Sequence, residues 1–294
     1  MIVDVHTHIP SHRDSIPPDE MRTETTMRSG EVVQLTNTID DYLRAIEPLD
    51  KAFLFGIAQR PWKDWNPLEQ SGDWPAPLNQ NDVAAEAASH APEKIIPFMS
   101  LHPLDPNVND EYDRAVGELG CKGIKLGANY QDFDPLGTEA FRLFARLEHD
   151  GLPIVFHQGT SPFWDAPLTY AHPLMTDRIA MAFPRLKIVV AHLGHPWQID
   201  CLAIVRKHPN VWADVSAQFY RPWSFWNAMQ LFHEWGVTNK ILFASDWPVT
   251  QPQDNIDHLR GLNRFASQHN LPGIPEDEIE GIINRDALDI LGVE

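Results

Sequence analysis

The sequence predicts an α/β fold, a (β/α)8 barrel with an extra C-terminal helix and elaborated loops at its mouth, and three observations carry that prediction. Short runs rich in β-branched residues recur eight times along the 294 residues. Most are followed by a stretch of helical periodicity, the alternation that builds parallel sheets with right-handed crossovers. Most are also apolar on both faces, as expected of strands covered by helices outside and by a packed barrel interior within. A doubly wound open sheet is the competing arrangement, but no Gly-x-Gly-x-x-Gly or phosphate loop follows the first run.

The first run, IVDVHTH (2–8), alternates apolar and polar residues. It therefore places Asp4, His6 and His8 on one inward face, with Asp4 deeper than the histidines. The runs KAFLFGI (51–57), IIPFMSL (95–101), KGIKLGA (122–128), PIVFHQG (153–159), KIVVAHLG (187–194), VWADVSA (211–217) and ILFASD (241–246) follow. Helical stretches fall at 81–92, 109–120, 137–151, 197–209, 224–236 and 254–268. In 137–151, Phe141, Phe144 and Leu147 form one apolar stripe and Gly151 supplies the stop. A last helix, 275–292, opens with Pro275 and acids, ends at Gly292, and is expected to cap the fold. The Pro- and Trp-rich stretch 59–80 is too long for an ordinary βα connection and reads as a mouth loop, so residues 1–294 are expected to form one domain.

Lys and Arg total 23 against 41 Asp and Glu, a net charge of −18. Such a surface repels nucleic-acid phosphates and anionic lipid heads, which argues against both as partners. No apolar run is long enough to span a bilayer, and no basic segment followed by an apolar one marks a signal peptide. Cys121 and Cys201 read as buried free thiols in a reducing compartment, so the cytoplasm is the expected location. A small-molecule substrate is the expected partner, and surfaces rich in Trp and Pro are compatible with a homo-oligomer.

The chemistry lies at the ends of the runs. His6 and His8, two residues apart in a strand, point the same way about 6.5–7 Å apart, at the end of the barrel that carries active sites. For an isolated His-x-His, a hydrogen-bonded structural pair is the commoner explanation. Here, however, His157, His192 and Asp246 close three other apolar runs. Burying such groups without compensation costs on the order of several kcal/mol, and one divalent cation compensates most of them together. Neutral imidazoles and a carboxylate suit zinc first, with manganese, iron or cobalt as alternatives, and a coordination position left open makes the site catalytic. Because a barrel closes, Asp246 comes beside His6 and His8. The tryptophans Trp62, Trp65, Trp74 and Trp164 in mouth loops, and Trp247 after Asp246, read as lining for a flat or cyclic substrate, while His12, His172 and Arg60 rank no higher than surface residues.

The segments DVHTHIP, GIKLG, FHQG, AHLGHPW and ASDWP together resemble the amidohydrolase superfamily across the chain. The branch resembled, amidohydrolase family 2, holds the metal-dependent barrels that include aminocarboxymuconate semialdehyde decarboxylase and small-molecule lactonases. The resemblance implies that His6, His8, His157 and Asp246 ligate one metal ion. It also implies that His192 stands over the open face as acid/base or polarising group, and that Asp246 doubles as proton acceptor. Two-metal members carry a carbamylated lysine at the end of the fourth strand, whereas the branch resembled does not. Lys125 is accordingly read as a cation facing a substrate carboxylate, or as a barrel residue paired with an acid.

Hydrolysis of a lactone or amide through a metal-activated water is the leading expectation. The resemblance favours it, because some aromatic-acid decarboxylases of the branch carry an acid in place of the first histidine of the His6-x-His8 pair. Non-oxidative decarboxylation of a small unsaturated or aromatic acid shares the same residues and is the alternative. A metal-free barrel that only binds a ligand is the third.

Overall fold

The computed structural model describes residues 1–16, 24–26, 32–62, 74, 79–161 and 163–293. Its strands are β1 (Val3–His8), β2 (Glu24–Thr26), β3 (Val32–Gln34), β4 (Lys51–Phe55), β5 (Ile95–Pro97), β6 (Met99–Ser100), β7 (Ile124–Leu126), β8 (Ile154–Phe156), β9 (Ile188–Val190), β10 (Val211–Asp214) and β11 (Ile241–Leu242). Apart from the antiparallel hairpin β2–β3, all pair in parallel, in the orders β1-β4-β5 and β6-β7-β8-β9-β10-β11.

Two junctions close these ladders into one barrel. β5 and β6 are halves of a single stave: the Phe98 N–H donates back to Leu54 O (2.8 Å), and the Met99 N–H donates forward to Gly123 O (2.9 Å). Across the other seam, the N–H groups of Val5, Asp246 and His8 donate to the carbonyls of Phe243, His6 and Trp247 at 3.1, 2.9 and 2.9 Å. The eight staves coincide with the eight runs read from the sequence.

Alternation along each stave sorts its side chains. Val3, Val5, Phe53, Phe98, Val155, Val189 and Leu242 fill the interior, whereas Ala52, Leu54, Ile154, Phe156, Ile188 and Val190 face the helical layer. The predicted C-terminal cap is two helices, Glu276–Ile283 and Ala287–Leu291. The second plugs the barrel floor, where Ala287, Leu291 and Val293 join the interior cluster. Helix Thr138–Asp150 buries Ala140, Leu143, Phe144 and Leu147 and stops at Gly151, whose φ of 72° suits glycine. The stretch 254–268 breaks at Gly261 into two helices. Helices Ile39–Ala45 and Leu174–Ala182 have no counterpart in the sequence reading. Most of the 59–80 loop, Trp65 included, lies outside the described residues.

One correction concerns the first strand. Asp4 pairs with Ala52 and Thr7 with Leu54, so three residue steps of β1 span two of β4. This is a β-bulge, and it flips the side-chain phase within the strand. Asp4 therefore faces the outer layer with Ala52, while Val5 enters the interior and His6 and His8 keep their place at the mouth. The Asp4 carboxylate accepts the N–H groups of His6 and Ser245, each at 3.0 Å, and ties the first stave to the eighth. Burial pushes its pKa up to about 7.

Candidate metal centre and active site

At the C-terminal rim the polar stave ends meet. The carboxylate of Asp246 lies between two imidazoles, with Oδ1 at 3.3 Å from His6 Nε2 and 3.2 Å from His8 Nε2. The ligand atoms of His6, His192 and Asp246 lie within 4.8 Å of one another, the group among the described residues that can hold a metal ion. His157 stands beside His192, its Nδ1 at 3.1 Å from His192 Nε2. Lys125 reaches up inside the barrel to 2.8 Å from His6 Nε2 and lies over the Phe55 ring.

Beneath these groups lies a carboxylate that the sequence reading passed over. Asp214, closing β10 and fully buried, accepts the backbone N–H groups of His192 (2.9 Å) and Ser216 (3.0 Å) and the Ser216 hydroxyl. Its other oxygen accepts His6 Nδ1–H at 3.0 Å. Burial alone would raise the Asp214 pKa, but His6 and the other donors hold it far below the usual carboxylate range. Ser216 donates to Asp214 and so accepts from His192 Nδ1–H at 2.7 Å. His192 Nε2 is then a bare acceptor, which receives His157 Nδ1–H. One buried anion thereby fixes three tautomers, leaving a lone pair without a partner on His157 Nε2 and one on His6 Nε2 that accepts from the Lys125 ammonium. The signal that could have found Asp214 was in VWAD, an acid closing an apolar run just as Asp246 closes ILFASD.

The backbone is bent to present these groups. His192 (φ 58°), Asp246 (φ 67°) and Ala217 (φ 53°) occupy the left-handed region without being glycine. Such conformations cost roughly 1–3 kcal/mol each and persist where neighbours over-determine them. His192 is clamped by its N–H to Asp214 and by Gln218 Nε2 donating to its carbonyl at 2.9 Å, and Asp246 by its N–H to His6 O.

Burial pushes His8 and His192 down to about 4 and holds His157 well below the ordinary imidazole value, so all three imidazoles are neutral. For Asp246, burial acts upward but His6 and His8 outweigh it, leaving an anion. His6 feels burial and the Lys125 charge downward, yet Asp214 and Asp246 raise it overall. Lys125 is lowered by burial to about 8 and stays largely charged at neutral pH. With His6 as a neutral ligand, two buried carboxylates face one ammonium, and the centre calls for a cation. His157 Nε2, buried without a hydrogen-bond partner, offers another donor. This nitrogen and oxygen set fits zinc or manganese.

Not every expected group faces the mouth. Trp247, read as pocket lining, packs in the outer layer with its ring 4.9 Å from Tyr42 and 2% exposed. The seam pairing of Thr7 with Trp247 turns the indole away from the interior, because Thr7 itself faces outward to the Tyr42 hydroxyl. Trp74 is also core, and Trp164 is 95% exposed. Arg60, ranked as a surface residue, is buried at the mouth.

A family model described as amidohydrolase, of the family 2 type, matches residues 3–293. The chain belongs to this amidohydrolase family. Within comparable proteins it is 26% identical over 227 residues to a gamma-resorcylate decarboxylase of Rhizobium radiobacter, covering 60% of this chain and 66% of that one. The match thus spans just under two thirds of that relative's length. A 5-carboxyvanillate decarboxylase of Novosphingobium aromaticivorans, solved with manganese, superposes with a TM-score of 0.65 at 15% identity, covering 99% of this chain and 96% of that one. A probable 2-pyrone-4,6-dicarboxylic acid hydrolase of Acinetobacter baumannii gives 0.60 at 16% identity and 99% coverage of both. These two likenesses establish that the family's TIM-barrel fold is this chain's fold. No helix among the described residues is long and apolar enough to cross a membrane.

Proposed function

We propose that this amidohydrolase-family barrel is a metal-dependent, non-oxidative decarboxylase of a small hydroxylated aromatic acid. The sequence ranked hydrolysis first; the decarboxylase relative at 26% identity over 227 residues supports the reverse order. One divalent ion, zinc or manganese, would be held by His6, His8, His157 and Asp246. The structural observation that carries the reading is the convergence of Asp246 Oδ1 with His6 Nε2 at 3.3 Å and His8 Nε2 at 3.2 Å, with the unpartnered His157 Nε2 buried in the same cluster above Asp214.

When bound, the ion supplies an electrophile that fixes the oxygens of an acidic substrate and withdraws charge from its ring. The protein's own groups handle the proton. Asp246, held as an anion, takes a proton from the substrate hydroxyl and delivers it to the ring carbon that bears the carboxylate. The carbon–carbon bond then breaks, its electron pair returns to the ring, carbon dioxide departs, and solvent supplies the net proton consumed. His192, neutral and oriented by Ser216, accepts His157 Nδ1–H and so holds the His157 ring in place beside the reacting oxygens. Lys125 places a positive charge below them.

The intact His6-x-His8 pair favours hydrolysis of a cyclic ester or amide as the second reading. The two are separated by products in oxygen-18 water with manganese-loaded protein. Decarboxylation yields carbon dioxide and an arene with no added oxygen, whereas label incorporated into an acid product, without carbon dioxide, would overturn the proposal.

A further inference from the structure

The short helix Ala128–Gln131 follows β7 at the barrel mouth, and all four of its residues are buried. Gln131 is fully engaged: Oε1 accepts the Gly127 N–H at 2.8 Å, and Nε2 donates to the carbonyls of Leu101 and Ala58 at 3.0 and 3.3 Å. Tyr130 is engaged only through its backbone and ring. Arg60 Nε donates to its carbonyl at 2.8 Å, and Arg60 is itself bonded to Asp165 at 3.0 Å, which fixes the residue from two neighbouring loops. Its ring lies 4.8 Å from that of His157 and meets Phe163 edge-on.

The hydroxyl is another matter. Tyr130 is 7% exposed, and its oxygen is buried without a hydrogen-bond partner. Buried hydroxyls almost always have partners, because leaving one unmatched forfeits its hydration with no return. A phenylalanine would fill the same seat without that cost. The seat is also specifically accommodated: a Cβ at Gly127 would lie 1.9 Å from Tyr130 Cζ and 2.3 Å from its oxygen, so only glycine lets the phenol lie there.

We propose that Tyr130 is a substrate-binding residue whose hydroxyl donates to the carboxylate of a small planar acid seated against the His6–His192–Asp246 group. An O–H donor with no partner of its own calls for an acceptor, and a carboxylate is the strongest acceptor that a small planar acid presents. The rings of Tyr130 and Phe163, with Phe55 at 5.2 Å from both His6 and His8, supply flat apolar walls. The inference rests on the decarboxylase reading only in taking a carboxylate as the acceptor.

The test is calorimetric titration of manganese-loaded protein with 2,6-dihydroxybenzoate, and with resorcinol as the analogue lacking the carboxylate. Tyr130→Phe should weaken the acid about tenfold or more, the loss of one charge-assisted hydrogen bond, while leaving resorcinol binding and metal content unchanged. Gly127→Ala, which displaces the phenol, should do the same to the acid. Equal binding of the acid by wild type and Tyr130→Phe would overturn the inference, as would an equal loss for resorcinol, which would assign the effect to packing. Wild-type protein that binds no aromatic acid would overturn the inference together with the substrate class. Protein that binds the acid with the Tyr130 dependence but releases no carbon dioxide would overturn only the decarboxylase reading.

Discussion

Replacing Asp214 by Asn should weaken metal binding about 10- to 100-fold, as loss of the group orienting a metal-binding histidine does elsewhere. One oxygen of Asp214 accepts the N–H groups of His192 and Ser216 and the Ser216 hydroxyl, and the other accepts His6 Nδ1–H at 3.0 Å. In the variant the amide oxygen keeps the first three donors, which leaves the amide NH2 facing the His6 ring. Two donors then oppose each other, and the ring is relieved by moving its proton to Nε2, the nitrogen whose lone pair is needed at the centre. A hydrogen bond to a buried charge is worth about 1.5–3 kcal/mol. At about 1.4 kcal/mol per decade, that corresponds to the same range of affinity. Competition with a chromogenic chelator at neutral pH measures it, with circular dichroism confirming the fold. Unchanged affinity in a folded Asp214→Asn protein would refute the claim that this anion sets the His6 tautomer.

Other perturbations test other parts of the structure. Leu291→Ala, which empties the barrel floor beneath Val3 and Val5, should lower stability by about 2–5 kcal/mol in denaturant titration, and a loss near zero would mean the plug does not pack as described. Asp246→Asn should reduce both bound metal and turnover; full metal content with normal turnover would remove Asp246 from the centre. For Asp177, burial acts upward, but Lys207 at 2.6 Å and His208 at 2.7 Å hold the pKa below its ordinary value. Its contribution, about 1 kcal/mol or less for so exposed a pair, is therefore complete above the ordinary carboxylate pKa and fades as the pH falls below it. The stability gap between wild type and Asp177→Asn should close in acid, and a gap that widens there would reverse the assignment. Burial raises the Cys121 thiol to about 12 and the Cys201 thiol further, so native protein should react negligibly with a disulfide reagent between neutral pH and pH about 9, and rapid labelling would contradict their burial.

Most staves were legible as short β-branched runs with apolar residues on both faces, a pattern imposed by a two-layer barrel, and the first by its apolar–polar alternation. His6, His157, His192 and Asp246 were legible because each interrupts such a run at the end that carries chemistry. The bulge in β1 was not, since inserting one residue flips side-chain phase without changing the hydrophobic pattern, and Asp4 was assigned to the wrong face. Trp247 was misplaced because the sequence does not reveal which way a residue points where the eighth stave ends and the seam pairs Thr7 with Trp247. Tyr130 gave no signal at all: GANYQ is too short for periodicity, and its burial follows from Gly127, Gln131 and Arg60 meeting in space. Helix Ile39–Ala45 was marked by the Thr38–Asp41 capping box, a local signal that the search for apolar stripes overlooked.

The most direct test of the central claim is the rate of labelled carbon dioxide release from carboxyl-labelled 2,6-dihydroxybenzoate as manganese or zinc is titrated into metal-free protein. No release is expected without metal, and the rate should rise to a break at one ion per chain. Release independent of metal, or none from this or other hydroxylated aromatic acids at full loading, would contradict it.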